Sequence, residues 1–138
     1  MAHWLVKSEP SKYSWEKLVK DGRTHWNGVR NYQAANNLKA MRLGDQAFFY
    51  HSVEGLAIVG IVEIVREYYP DPSDESGRFG MVDVQALRPL KTPVTLKQMK
   101  VDPALSGLGL IRQGRLSVSP VSAAEWAHIC QLGGIPAK

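Results

Sequence analysis

The chain has a single cysteine among its 138 residues, Cys130, which excludes an intrachain disulfide and a cysteine-rich metal centre. No apolar run approaches the ~20 residues that a bilayer-spanning helix needs, so no membrane partner is expected. Repeats, low-complexity tracts and linkers rich in Pro, Gly or Ser are absent, which leaves one domain over residues 1–138 as the expectation. The opening Met-Ala-His-Trp-Leu-Val-Lys has no basic leader followed by a long apolar segment, so no export signal and a cytoplasmic location are expected. Enzymatic signatures are missing too. There is no Gly-x-Ser-x-Gly turn to raise a nucleophile. Gly107-Leu108-Gly109 lacks the lysine and the strand-to-helix context of a phosphate-cradling loop. His128-x-Cys130 has no further ligands at zinc spacing, and Cys130 falls on a helix face beside Trp126, where inert packing is expected. His51, Ser52 and Asp45 do not make a hydrolytic trio, because adjacent strand residues point to opposite faces. A non-catalytic protein with no cofactor and no metal is the expectation.

What is present is ordinary in amount and uneven in place. An apolar fraction of 44% and a charged fraction of 22% are those of a globular domain able to bury a core. Residues 1–42 hold eight Lys/Arg against three acids, residues 43–90 three against eight, and residues 91–138 six against two. If the two basic ends meet in space they form a positive face suited to a polyanion. Charge alone does not choose between that and a scattered, solvated surface.

Local patterns outline the elements. Trp4–Ser8 reads as a strand ended by Pro10, which lacks a ladder donor. Ser14 caps a short helix with Trp15, Leu18 and Val19 on one face, and Asn31 caps a second with Ala34, Leu38 and Met41, closed by Gly44. Gln46–His51 and Leu56–Arg66 flank a Val53-Glu54-Gly55 turn as a hairpin, and Gly60 marks where the long second strand bends. Residues 69–80 read as a loop and Met81–Leu87 as a strand. Thr95-x-x-Gln98 and Ser122-x-x-Glu125 are capping boxes, the second with Val121 and Trp126 as a staple. Leu110–Arg112 and Arg115–Val118 read as strands around Gln113-Gly114. The sum is an α+β fold: a small mixed β-barrel of five to six strands with peripheral helices.

One segment concentrates chemistry. Trp26-Asn27-Gly28-Val29-Arg30-Asn31 joins an indole, carboxamides, a flexible glycine and a guanidinium just ahead of a helix. Those groups suit a planar polar ring held beside a phosphate. Tyr50-His51-Ser52 adds polar groups at the end of an apolar strand. Both segments point to recognition of a base rather than to bond-making. Each residue has a plainer reading as well. Trp26 can be core, as expected of Trp4, Trp15 and Trp126. His51 can be a satisfied core histidine, Asn31 a cap, Arg30 half of an internal ion pair, and Ser8 a bond to the bend before Pro10.

Five blocks in order resemble the EVE domain family: Lys7-Ser8-Glu9-Pro10, Trp26-x-Gly28-Val29-Arg30-Asn31-Tyr32-Gln33-Ala34, Phe49-Tyr50-His51-Ser52, Met81-Val82-Asp83-Val84 and Arg112-Gln113-x-Arg115-Leu116-Ser117. The resemblance runs from Trp4 to about Trp126 and is specific as a set. It implies a PUA-like fold related to the YTH domains that read methylated adenine in RNA. It also implies a reader of modified bases, chiefly in DNA, that takes a flipped-out base into a pocket. Carried onto this chain, the pocket residues are Ser8, Trp26, Asn27, Tyr50, His51 and Ser52. Lys7, Arg30, Arg112 and Gln113 would contact phosphates or the duplex, Gln113 by filling the gap the base leaves or by touching that base's partner. Trp26→Ala is expected to abolish selective binding and leave the fold intact. An RNA-binding module and a pocket for a free nucleobase or other small planar ligand stand as alternatives.

Overall fold

Strand β1 (His3–Ser8) owes its central place to alternation, since Trp4 and Val6 enter one core and Leu5 the other. The computed structural model describes residues 1–137. β1 pairs in parallel with β3 (Gln46–His51) and antiparallel with β6 (Val118–Val121). Antiparallel ladders then join β3 to β4 (Ala57–Pro70), β4 to β5 (Gly80–Thr95), and β5 to β2 (Arg23–His25). The sheet order is β2-β5-β4-β3-β1-β6.

The sheet has six strands, as expected, but it is open, which corrects the barrel. β2 and β6 are its edges. β2 is only three residues long, and Pro120 removes a ladder donor from β6, so neither offers a long edge for closure. The β4–β5 pairing is interrupted by register shifts, one of them between Ile58 and Gly60. The Trp15 ring covers Gly60: a Cβ there would lie 2.5 Å from the indole. Gly60→Ala is therefore expected to destabilise by about 1–3 kcal/mol through overpacking, read as a lower urea midpoint. An unchanged midpoint would mean that the indole yields freely.

Helices cover both faces. On one lie α1 (Trp15–Asp21) and α2 (Tyr32–Ala40), whose Trp15, Leu18, Ala34 and Leu38 join Trp26, Phe49 and Val82. On the other lie α3 (Leu96–Lys100), a 3₁₀ turn (Pro103–Leu105), α4 (Gly109–Arg112) and α5 (Ala123–Leu132), with Met99, Leu105, Trp126 and Ile129 against Phe48 and Ile61. The caps at Ser14, Asn31, Thr95 and Ser122 form as the sequence indicates, the last two as capping boxes. Cys130 is fully buried, and burial pushes its thiol up, toward the inert form.

Several boundaries differ from the sequence reading. Val19 turns to solvent instead of joining Trp15 and Leu18. α2 stops at Ala40, and Gly44 serves the turn into β3. β5 continues through Pro89 and Pro93 to Thr95, well past Leu87. Leu110–Arg112 is a helical turn rather than a strand, because Ile111 and Arg112 both donate to the Leu108 carbonyl while Leu108 and Leu110 stay buried. The last strand accordingly starts at Val118.

Candidate nucleic-acid interface

The segment after β2 builds a cleft of about 480 Å³. The Trp26 N–H donates to the Val82 carbonyl at 2.7 Å, extending the β2–β5 ladder by one residue. The chain then turns at Gly28, whose φ of 80° lies in the left-handed region that glycine tolerates. Asn31 stops the turn by accepting from the Ala34 N–H at 2.9 Å and starting α2. The facing wall comes from the end of β1 (Lys7, Ser8), from Lys12 and Tyr13 ahead of α1, and from Ser117 ahead of β6.

A buried carboxylate holds this turn in place. The Asp71 side chain is fully enclosed. It accepts from the Gly28 N–H at 2.8 Å, from the Ser73 hydroxyl at 2.6 Å and backbone N–H at 2.8 Å, and from Arg30 Nη1 at 3.2 Å. Burial pushes the Asp71 carboxyl up, but the bonds from Ser73, Gly28 and Arg30 outweigh it and bring the pKa down to about 2. Arg30 also donates to Ser73 and lies 5.7 Å from the Phe79 ring centre. The β4–β5 loop thus clamps the cleft's turn to the sheet.

The lining is aromatic, polar and cationic. Trp26 is only 8% exposed. It meets Phe49 edge-on, 5.6 Å between centroids, and also lines the cleft. It is core and cleft wall at once. Tyr13 adds a half-buried phenol that donates to Asp21 at 3.0 Å. Ser8 lends its hydroxyl proton to the Tyr13 carbonyl at 2.6 Å, keeping its lone pairs as acceptors, while Asn27 is exposed. Lys7, Lys12 and Arg30 line the cleft, Lys12 lying 3.6 Å from Glu9 and Arg30 paired with Asp71, and no Asp or Glu is itself part of the lining. Burial lowers the Lys7 pKa, since the ammonium loses water and gains only the Gly114 carbonyl at 2.6 Å. That bond also joins the N-terminal basic stretch to the C-terminal one. Arg112 and Arg115, exposed beside Gly114 in sequence, have no ion pair among the described residues.

Of the residues singled out in the sequence, Lys7, Ser8, Trp26, Asn27 and Arg30 meet in the cleft. Arg30, read as a phosphate contact, has its guanidinium committed to Asp71 and Ser73. Tyr50, His51 and Ser52 stand apart from the cleft. Tyr50 points to the opposite face of β3 and is buried with Leu5 and Phe48. His51 Nε2 accepts from the Trp15 N–H at 3.0 Å, the satisfied reading of that residue, and burial lowers its pKa. Ser52 meets β1 through its backbone, donating to the Ser8 carbonyl. Gln113 lines a neighbouring cleft, and Arg112 lines neither. Sequence reasoning missed Lys12, Tyr13, Thr24, His25 and Ser117 as lining residues. Tyr13 was the findable one, an aromatic in a polar stretch just after Lys7-Ser8-Glu9-Pro10. Thr24 and His25 sit on the short β2, which the sequence did not reveal.

The EVE domain pattern matches residues 2–132 of the chain. Human thymocyte nuclear protein 1 is 36% identical over 95% of this chain and 73% of its own length. A Rhodopseudomonas palustris protein solved by NMR superposes with a TM-score of 0.92 at 54% identity, covering 97% of this chain and 94% of that one. Human THYN1 protein in complex with 5-methylcytosine containing DNA superposes at 0.89 with 36% identity, over 96% and 98%. At 16% identity, and so for the fold alone, the YTH domain of the Zygosaccharomyces rouxii MRB1 protein in complex with N6-methyladenosine RNA gives 0.60, over 96% and 86%.

Proposed function

This chain belongs to the EVE domain family, and on that footing we propose that it binds nucleic acid and reads a modified base, DNA first, by drawing the base out of its stack into the cleft beside Trp26. The observation that carries the reading is the cleft's composition: an indole and a phenol, amide and hydroxyl groups, several cations and no carboxylate. Without a carboxylate in the lining or a metal-holding cluster among the described residues, the groups favour binding over bond-making. The human relative bound to 5-methylcytosine DNA makes that base the natural first probe.

Energies set what the cleft has to do. Extruding a base costs a few kcal/mol. Stacking on an aromatic returns about 1–3 kcal/mol, supplied here by Trp26 and Tyr13. A methyl group adds only ~0.8 kcal/mol by burial, a several-fold preference. Sharper choice has to come from Asn27 and Ser8, left unpaired by the wrong base. Lys7, Lys12 and Arg112 attract phosphates without reading sequence.

The test is a titration of duplexes and single strands, in DNA and RNA, carrying modified or plain cytosine and adenine. Tighter binding of one modified base is the expected result, and equal affinity for all would rule the reading out. Affinity should fall by ~0.9 log units per duplex phosphate contact for each tenfold rise in salt. A salt-independent affinity for the free base would favour a small-ligand pocket instead. Arg112→Ala is expected to weaken all oligonucleotides alike and to reduce the salt slope by about one. A changed base preference would contradict its assignment to phosphate.

A further inference from the structure

Beside the base cleft lies a second one, of about 320 Å³, lined by Asn31, Gln33, Gln113, Gly114, Arg115 and Leu116. The two share Asn31, and the Lys7–Gly114 bond ties their walls together. Leu116 is buried and forms an apolar base to the second cleft. Gln33, Gln113 and Arg115 are exposed, and their side chains make no hydrogen bond or ion pair among the described residues. Asn31 uses its oxygen to cap α2 and keeps its amide donors. Four side chains with open hydrogen-bonding capacity thus border one recess.

We propose that this second cleft holds the nucleotide next to the extruded base on the same strand and selects a purine there. The proposal rests on the base-reading function proposed above. Contiguity supports the same strand: the two recesses share Asn31 in their linings, and a neighbouring nucleotide follows directly along the backbone. The chemistry of the lining selects the purine. Carboxamides pair two-fold with the N6/N7 edge of adenine, and a guanidinium with the O6/N7 edge of guanine. Cytosine is read by carboxylates and thymine by apolar contact with its methyl group. No Asp or Glu lines the recess, and its one large apolar residue is the buried Leu116.

The experiment uses the full chain and duplexes that carry one 5-methylcytosine or plain cytosine, with each of the four bases placed on its 5′ and 3′ sides. Wild type is expected to favour a purine on one flank by about tenfold. Gln33→Ala and Gln113→Ala should each reduce that to about threefold or less, and Gln33→Ala should keep the preference for 5-methylcytosine over cytosine. Arg115→Ala should remove the advantage of guanine in particular. These three side chains are exposed and unbonded, so their removal is not expected to disturb folding, and unchanged thermal midpoints would confirm it. A wild type that distinguishes 5-methylcytosine but ignores both flanks overturns this inference alone, as does a flank preference that survives in both glutamine variants. A wild type that binds 5-methylcytosine, every other modified base of the panel above and their plain counterparts alike overturns the base-reading proposal and this inference with it.

Discussion

Trp26→Ala is expected to lower the unfolding free energy by about 3–5 kcal/mol and to abolish selective base binding in the same variant. The two effects have one cause. The indole is 8% exposed, edge-packed on Phe49 within the core under α1 and α2, and it also forms a wall of the cleft. This corrects the sequence expectation that the substitution leaves the fold intact. Against a typical stability of about 5–15 kcal/mol, the variant is expected to fold marginally, so binding has to be read well below its thermal midpoint. Trp26→Phe separates the effects. It keeps an apolar ring, and is expected to recover most of the stability while lowering affinity for the modified base several-fold. Wild-type selectivity in a folded Trp26→Ala protein would remove the indole from the recognition surface.

Asp71→Ala is expected to cost about 3 kcal/mol, the lower end for breaking a buried ion pair, because Arg30 is partly exposed and can regain water. The Gly28 N–H loses its acceptor as well. Binding should weaken about tenfold, since the turn carrying Trp26, Asn27 and Gly28 would have to be ordered by the ligand. Acid provides an independent check. The Asp71 pKa is depressed from the usual 3.8 to about 2, so its stabilisation is complete above about pH 4 and is lost as pH falls toward 2. That difference corresponds to about 2 kcal/mol. Stability measured by urea unfolding between pH 5 and pH 2 should fall less steeply in Asp71→Asn than in wild type. Equal slopes would show that the carboxylate is not what clamps the turn.

Local chemistry was legible in the sequence, and long-range placement was not. Ser14, Asn31, Thr95 and Ser122 announce helix starts because a cap is satisfied within three residues. Gly60 stood out in the sequence as an irregular point of the long strand, and the pairing shifts register there, but the reason the position needs glycine, the Trp15 ring pressed on its backbone, lies 45 positions away in the chain. Strand β2 escaped notice because three residues carry no readable period, and with it went Thr24 and His25. Tyr50, His51 and Ser52 looked like cleft residues because they are polar and follow an apolar strand. The pleat sends Tyr50 to the far core, and the Trp15 backbone takes His51. Only the fold could show that Asp71 answers Gly28 and Arg30 across 43 and 41 positions. The meeting of the basic ends through Lys7 and Gly114 was conditional in the sequence and became definite in the fold.

The most direct test is a crystal structure of this protein with a duplex carrying one 5-methylcytosine. That base is expected to be rotated out of the helix, lying against the Trp26 indole with its polar edge toward Asn27 and Ser8. A 5-methylcytosine still stacked and paired, with the recess beside Trp26 empty, would contradict it.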